Sequence, residues 1–175
     1  MVSKSVIGKT SYAIGKQFEE TLKLSWRHVF GAWRLRIKDG LGSERPGDEI
    51  ILLKRLRLLL EAKTTNKSSF NASTANLKSH QIQAGLDFDA LNKNNYSVLF
   101  IQFNSDVDQV FAFHMPKLLD YLIDNESKII HLKDVEKASG LKIECSLGLQ
   151  APKLLILNDF ESRILTHWNW NYKCK

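Results

Sequence analysis

Residues 48–63 read Asp48-Glu49-Ile50-Ile51-Leu52-Leu53-Lys54-Arg55-Leu56-Arg57-Leu58-Leu59-Leu60-Glu61-Ala62-Lys63. The apolar run is interrupted by Lys54, Arg55 and Arg57, so it falls short of the ~18 continuous apolar residues that a membrane span needs. Two short core strands fit it instead: one over residues 49–54, the other from Arg55 or Leu56 to Lys63, joined by a turn without a glycine signal. Residues two apart on a strand share a face, so Glu61 and Lys63 project side by side at the end of a very apolar strand. If the two strands form a hairpin, Asp48 at the start of the first lies near Glu61 at the end of the second.

Outward from this hairpin the pattern alternates between helix and strand. Residues 11–30 carry Phe18, Leu22, Trp26 and Val29 at helical spacing, with Gly31 as a stop. Residues 32–38 alternate Trp33, Leu35 and Ile37 with Arg34, Arg36 and Lys38, a half-buried strand with a basic outer face. Three glycines and Pro46 make residues 39–47 a loop. Downstream, residues 64–75 are rich in Ser, Thr and Asn and read as a loop. Residues 76–91 read as a helix with Leu77, Ile82, Leu86 and Leu91 on its apolar side. Strands are expected over 96–104 and 107–114, joined at residues 106–108. A helix with Pro116 in its first turn runs to Asp124, and a short one over 134–139 ends at Gly140. The order predicts a single α/β domain over residues 1–175, a central mixed β-sheet flanked by helices. Its core spans about residues 11–160, and residues 161–175 form an aromatic, basic tail. Trp168, Trp170 and Tyr172 in that tail either stack on bases or pack on the domain or on a dimer partner.

Composition narrows the function classes. The chain has 175 residues and a net charge of +6, and the charge is uneven. Residues 1–80 hold fifteen Lys/Arg against seven Asp/Glu, a net of +8. Residues 81–175 hold ten against twelve, a net of −2. A basic half points to a polyanion such as nucleic acid. Cys145 and Cys174 lie in no Cys-x-x-Cys pair and have no histidine at zinc-site spacing, which sets zinc-finger chemistry aside. With no membrane span and no secretion signal at the N-terminus, a cytoplasmic protein is expected.

The chemistry concentrates on three residues. Two carboxylates held close repel each other unless a cation sits between them, and hard oxygen ligands select Mg²⁺ or Mn²⁺. Such a metal polarises a phosphoryl oxygen and lowers the pKa of a water. A lysine beside that water favours its deprotonation and stabilises the charge of a pentacovalent transition state. Glu-x-Lys alone is equally a surface ion pair worth ~0–1 kcal/mol; the apolar strand leading into Glu61 argues against a fully solvated face.

Four segments extend this pattern: Gly15-Lys16-Gln17-Phe18-Glu19-Glu20, Pro46-Gly47-Asp48, Leu60-Glu61-Ala62-Lys63 followed by Thr65, Ser69 and Phe70, and His80-Gln81-Ile82. Together they resemble the PD-(D/E)XK nuclease superfamily, and within it the RecU-type Holliday junction resolvases of bacteria and phages. The resemblance covers roughly residues 12–160. It implies a restriction-endonuclease-like fold, with Mg²⁺ bound by Asp48 and Glu61 and with Mn²⁺ able to substitute. Glu19, or Glu20 in the adjacent register, and Gln81 would complete the metal set. Lys63 would be the catalytic lysine. Lys16, Thr65 and Ser69 would contact DNA phosphates, and the loop residues Lys38 and Arg45 would take part of the place of the long insertion, a projecting stalk, that bacterial RecU proteins carry and this chain lacks. The implied activity is symmetric nicking of four-way DNA junctions by a homodimer, in a bacterial cell or a phage-infected host, leaving 5′-phosphate and 3′-hydroxyl ends. The alternatives are a nuclease of the same superfamily acting on other DNA, and a non-catalytic DNA-binding protein on the same fold.

Overall fold

A computed structural model describes residues 4–38, 44–105, 109–146 and 154–168. The first helix, α1, spans Lys4–Trp26. Phe18, Leu22 and Trp26, four residues apart, form its buried stripe. The helix ends short of the expected Gly31. Residues Arg27, His28 and Val29 make three-residue-back bonds to Leu24, Ser25 and Trp26 instead, and Gly31 follows with φ 76°. Such tightened bonds are the usual finish of a helix whose last residues are poor helix formers.

Six strands make the main sheet: β1 (Trp33–Arg36), β2 (Glu49–Leu52), β3 (Arg57–Thr65), β5 (Asn95–Phe103), β6 (Gln109–His114) and β8 (Leu141–Ile143), in the order β1-β2-β3-β5-β6-β8. The β2–β3 hairpin is antiparallel with Glu49 opposite Leu60, and its turn is closed by the Leu53 amide on the Leu56 carbonyl. β3 and β5 are parallel over nine residue pairs, from Arg57 beside Asn95 to Thr65 beside Phe103. A parallel pair needs a crossover, and α2 (Ser79–Leu91) supplies it. The remaining neighbours are antiparallel, so the sheet is mixed, as the sequence predicts.

Helices cover both faces. α1 and α4 (Phe160–His167) pack on the face bearing Leu58, Leu60, Val98 and Phe100. α2 and α3 (Met115–Asp124) lie over the face bearing Leu99, Ile101, Phe111 and Phe113. Burying each such side chain contributes ~1.5–3 kcal/mol.

Several expectations are corrected. Residues 64–75 contain a strand, β4 (Ser69–Asn71), paired with β7 (Ile129–His131) in a separate ribbon. Three residues carry too little alternation to reveal a strand whose partner lies sixty residues away. Residues 134–139 form no α-helix. A 3₁₀ turn over Leu132–Asp134 runs into further turns, and positive φ at Ser139 ends it before Gly140. Leu91, expected on the apolar side of α2, is 79% exposed. β1 lies at the sheet edge, so its expected core side is open: Trp33 is 53% and Leu35 47% exposed. For Trp168 the structure takes the reading in which the tail packs on the domain, and it moves the end of the core past residue 160. Phe160, Ile164 and Trp168 are buried at i, i+4 and i+8. The Trp168 indole also donates to the Ser139 carbonyl at 3.0 Å and stacks on His114 at 5.6 Å. Residues 161–168 therefore belong to the core; Trp170 and Tyr172 lie outside the described residues.

One side chain of α4 reaches further. The Glu161 carboxylate accepts the Arg55 and Leu56 amides of the β2–β3 turn, at 2.6 and 3.1 Å, so the last helix holds the hairpin. Phe160→Ala, which empties the contact with Trp26 and Phe100, is expected to cost about 3–5 kcal/mol of stability, read as a fall in the urea midpoint at unchanged slope.

Candidate active site

The hairpin register decides where the chemistry-bearing residues meet. Asp48 extends β2 by one residue and donates its amide to the Leu60 carbonyl at 2.7 Å. Its carboxylate accepts the Ala62 amide through Oδ2 at 2.9 Å. Asp48 is thus bonded to the backbone on both sides of Glu61. Gly47 makes this approach possible. A Cβ there would stand 2.9 Å from the Leu60 carbonyl oxygen and 3.1 Å from Leu59 Cδ1. Any larger residue pushes Asp48 away from β3.

Asp48 and Glu61 are both buried, at 6% and 4% exposure, and each faces a cation. Lys63 Nζ lies 2.6 Å from Glu61 Oε1, and Arg45 lies 3.1 Å from Asp48 Oδ1. The Glu61 carboxyl is raised above the ordinary glutamate range, first by burial and next by the negative charge of Asp48; Lys63 and Arg45 oppose this in part. Glu61 Oε2 is buried and has no hydrogen-bond partner. An orphaned carboxylate oxygen, beside a second carboxylate and out of water, is the donor set a hard divalent cation satisfies. Asp48 and Glu61 therefore fit Mg²⁺ or Mn²⁺.

The other expected site residues are placed unevenly. Glu19 pairs with Arg36 at 2.7 Å. No group of three or more acidic, His or Cys ligands gathers among the described residues, so Glu19 is not brought into a three-carboxylate cluster with Asp48 and Glu61. Glu20 pairs with Lys23 at 2.7 Å on the surface. Gln81 is buried, and its Oε1 accepts the Lys78 amide at 3.3 Å, capping α2. Thr65 and Ser69 line one polar cleft of about 550 Å³ with Asn66 and Lys67, just beyond Lys63, and the Thr65 hydroxyl donates to the Ser69 carbonyl. Lys16 is exposed, its ammonium 5.9 Å from the Tyr12 ring centre. Lys38 is exposed. Arg45, expected to contact DNA, pairs here with Asp48. The i, i+3 spacing of the two residues was the available signal, hidden by the loop around it.

No protein-family model matches the chain, and no curated protein matches it. Among solved structures it is similar to the Holliday junction resolvase Hjc of Archaeoglobus fulgidus, with a TM-score of 0.43 and 14% identity, over 58% of this chain and 77% of that one.

Two outcomes follow from the geometry. Because the folded Glu61 carboxyl is raised, the folded protein keeps this proton to higher pH than the unfolded chain does. Its contribution to stability is therefore full at low pH and is lost as pH rises from the ordinary glutamate range through the raised value. Glu61→Gln should remove that loss. Measured by urea unfolding without divalent metal, the variant's stability relative to wild type should increase from pH 5 to pH 8; a constant difference would contradict the shift. Separately, Gly47→Ala should leave the fold in place yet displace Asp48. On the nuclease reading below, this lowers the cleavage rate about 10²-fold.

Proposed function

We propose that this chain is a Mg²⁺-dependent, structure-selective DNA endonuclease of the PD-(D/E)XK type that nicks four-way junctions as a homodimer. The observation that carries the proposal is the meeting of Asp48, Glu61 and Lys63 at one end of the β2–β3 hairpin, with a buried Glu61 oxygen left unsatisfied. The basic N-terminal half and the motif order in the sequence support a DNA substrate.

In this reading Asp48 and Glu61 hold Mg²⁺. When bound, the metal supplies Lewis acidity toward a phosphate oxygen. Asp48 keeps its aim through the Ala62 amide. The Lys63 ammonium, anchored on Glu61, lies where it can orient the attacking water and stabilise the extra negative charge that develops on phosphorus-bound oxygen. Arg45 offsets the charge of Asp48. Thr65, Ser69 and Lys67 beside the site offer hydroxyl and ammonium donors to the neighbouring phosphates. Glu19 enters the metal set only if it leaves Arg36, and Gln81 only if it leaves the cap of α2.

Cleavage of a synthetic four-way junction and of a matched linear duplex, each with Mg²⁺ and with EDTA, tests this. The junction should be nicked faster, and only with metal. Lys63→Ala should lower the rate by about 10²-fold or more, and Asp48→Asn should abolish it. Equal rates on both DNAs would leave a nuclease of other specificity; full activity in Lys63→Ala would reject the mechanism.

A further inference from the structure

The cations that interrupt the apolar run of the hairpin, Lys54, Arg55 and Arg57, take no part in the site at its other end. They gather with Lys93 around a cleft of about 700 Å³, to which Leu53 and Leu165 add apolar lining. All four cations are exposed. Arg55 faces Glu161 at 3.4 Å, and the other oxygen of Glu161 is taken by the Arg55 and Leu56 amides. Lys54, Arg57 and Lys93 form no ion pair among the described residues. Three positive charges without a counter-charge therefore surround one concavity.

The backbone that carries these charges is fixed. The β2–β3 turn is closed by the Leu53 amide on the Leu56 carbonyl at 2.8 Å and gripped by Glu161. The loop between α2 and β5 is held by the Asn94 amide, which donates to the Asn92 side chain at 2.9 Å. The Arg57 amide then bonds the Asn94 carbonyl at 2.9 Å, which joins the start of β3 to that loop. A backbone fixed beforehand loses less entropy when a ligand binds. Solubilising charge is ordinarily interspersed with charge of the other sign; here the Glu161 carboxylate beside the cleft is already occupied.

The charge selects a polyanion, and the shape selects among polyanions. The convex sugar–phosphate ridge of a nucleic acid enters a concave cleft, whereas a flat membrane surface meets only its rim. We propose that this cleft is a second phosphate-backbone site, which holds duplex DNA away from the point of cutting. The inference rests on the nuclease reading for DNA as the polyanion. Arg57 and Glu61 lie on the same strand, β3, and their even separation sets them on one face. Their distance along it is about 13 Å at a rise of about 3.3 Å per residue, or about four base pairs of duplex. Thr65 and Ser69 then take phosphates beyond Lys63, and the basic cleft anchors the flanking duplex. Affinity and cutting are thus set by different residues.

Binding of the full chain to a linear duplex, without divalent metal and from about 50 to 200 mM KCl, reads the number of phosphates contacted, since each adds about 0.9 to the slope of log affinity on log salt. Lys54→Gln, Arg57→Gln and Lys93→Gln combined should flatten that slope by about 3 and weaken binding at least about tenfold at the lowest salt. Lys133→Gln, Lys137→Gln and Lys142→Gln, an equal loss of charge around the other edge strand, β8, should change the slope by less than about 1. A wild type that binds no DNA, an unchanged slope in the first variant, or equal flattening in both would overturn the proposal. Should the first variant fail to fold, acylation of the unaltered protein decides: duplex DNA should shield Lys54 and Lys93 and leave Lys133 and Lys142 reactive. Equal reactivity with and without DNA sinks the proposal, as does shielding by anionic lipid vesicles but not by DNA, which would mark a membrane surface. A chain whose cleft binds as expected but which never nicks the junction with Mg²⁺ fails the nuclease reading alone. One that nicks it, and whose first variant binds like wild type, fails this proposal alone.

Discussion

The hydrogen bond from the Asp48 amide to the Leu60 carbonyl sets the geometry on which the rest depends. It fixes the β2–β3 register, and with a two-residue side-chain period any slip by one residue would turn Glu61 and Lys63 to the opposite face. The bond exists because Gly47 has no side chain to hold the strands apart. β3 in turn lies in the middle of the sheet, paired with β2 on one side and with β5 on the other. Glu61 is thus carried by an interior strand bonded on both sides, Asp48 is tied to that strand by two hydrogen bonds, and Thr65 of the polar cleft lies on its continuation.

Electrostatically the site is a compact square of opposite charges. Asp48 and Glu61 are nearly dry, and Arg45 and Lys63 face them at ion-pair distance. Leaving one oxygen of Glu61 without a donor is costly in a folded protein. Proteins hold such unfavourable arrangements where the rest of the structure over-determines them, and here the hairpin, Gly47 and the Ala62 amide do so. The same burial that raises Glu61 also strengthens its attraction to any cation that reaches it.

Much of this was readable in the sequence, and the misses share a cause. α1, the hairpin, α2, β5, β6 and α3 were each announced by a local pattern long enough to register: Phe18, Leu22 and Trp26 on a helix, Leu58 to Leu60 on a strand. β4, β7 and β8 have three residues each, too few for a period, and they exist because a distant segment pairs with them. α4 is different. Phe160, Ile164 and Trp168 carry a helical period, but the aromatic and polar residues that follow drew the whole stretch into a tail. For the site, the placing of Glu61 beside Lys63 followed from strand alternation, and that of Asp48 near Glu61 from the hairpin expected over residues 49–63. The partners of Glu19, Gln81 and Arg45 did not, because an ion pair such as Glu19 with Arg36 depends on how a helix sits over a strand seventeen residues away.

The position of α4 has a consequence for the order of assembly. Trp26, near the start of the chain, meets Phe160 near its end at 5.8 Å, and Glu161 grips the turn of the hairpin that carries the site. Contacts so distant in sequence form late and tie up much loop entropy before they stabilise anything. During synthesis the hairpin and its charged residues emerge long before the helix that steadies them. A growing chain accordingly lacks the support for this end of the hairpin until α4 arrives, and the arrangement of Asp48, Glu61 and Lys63 is steadied by completion of the core rather than by the appearance of the residues themselves.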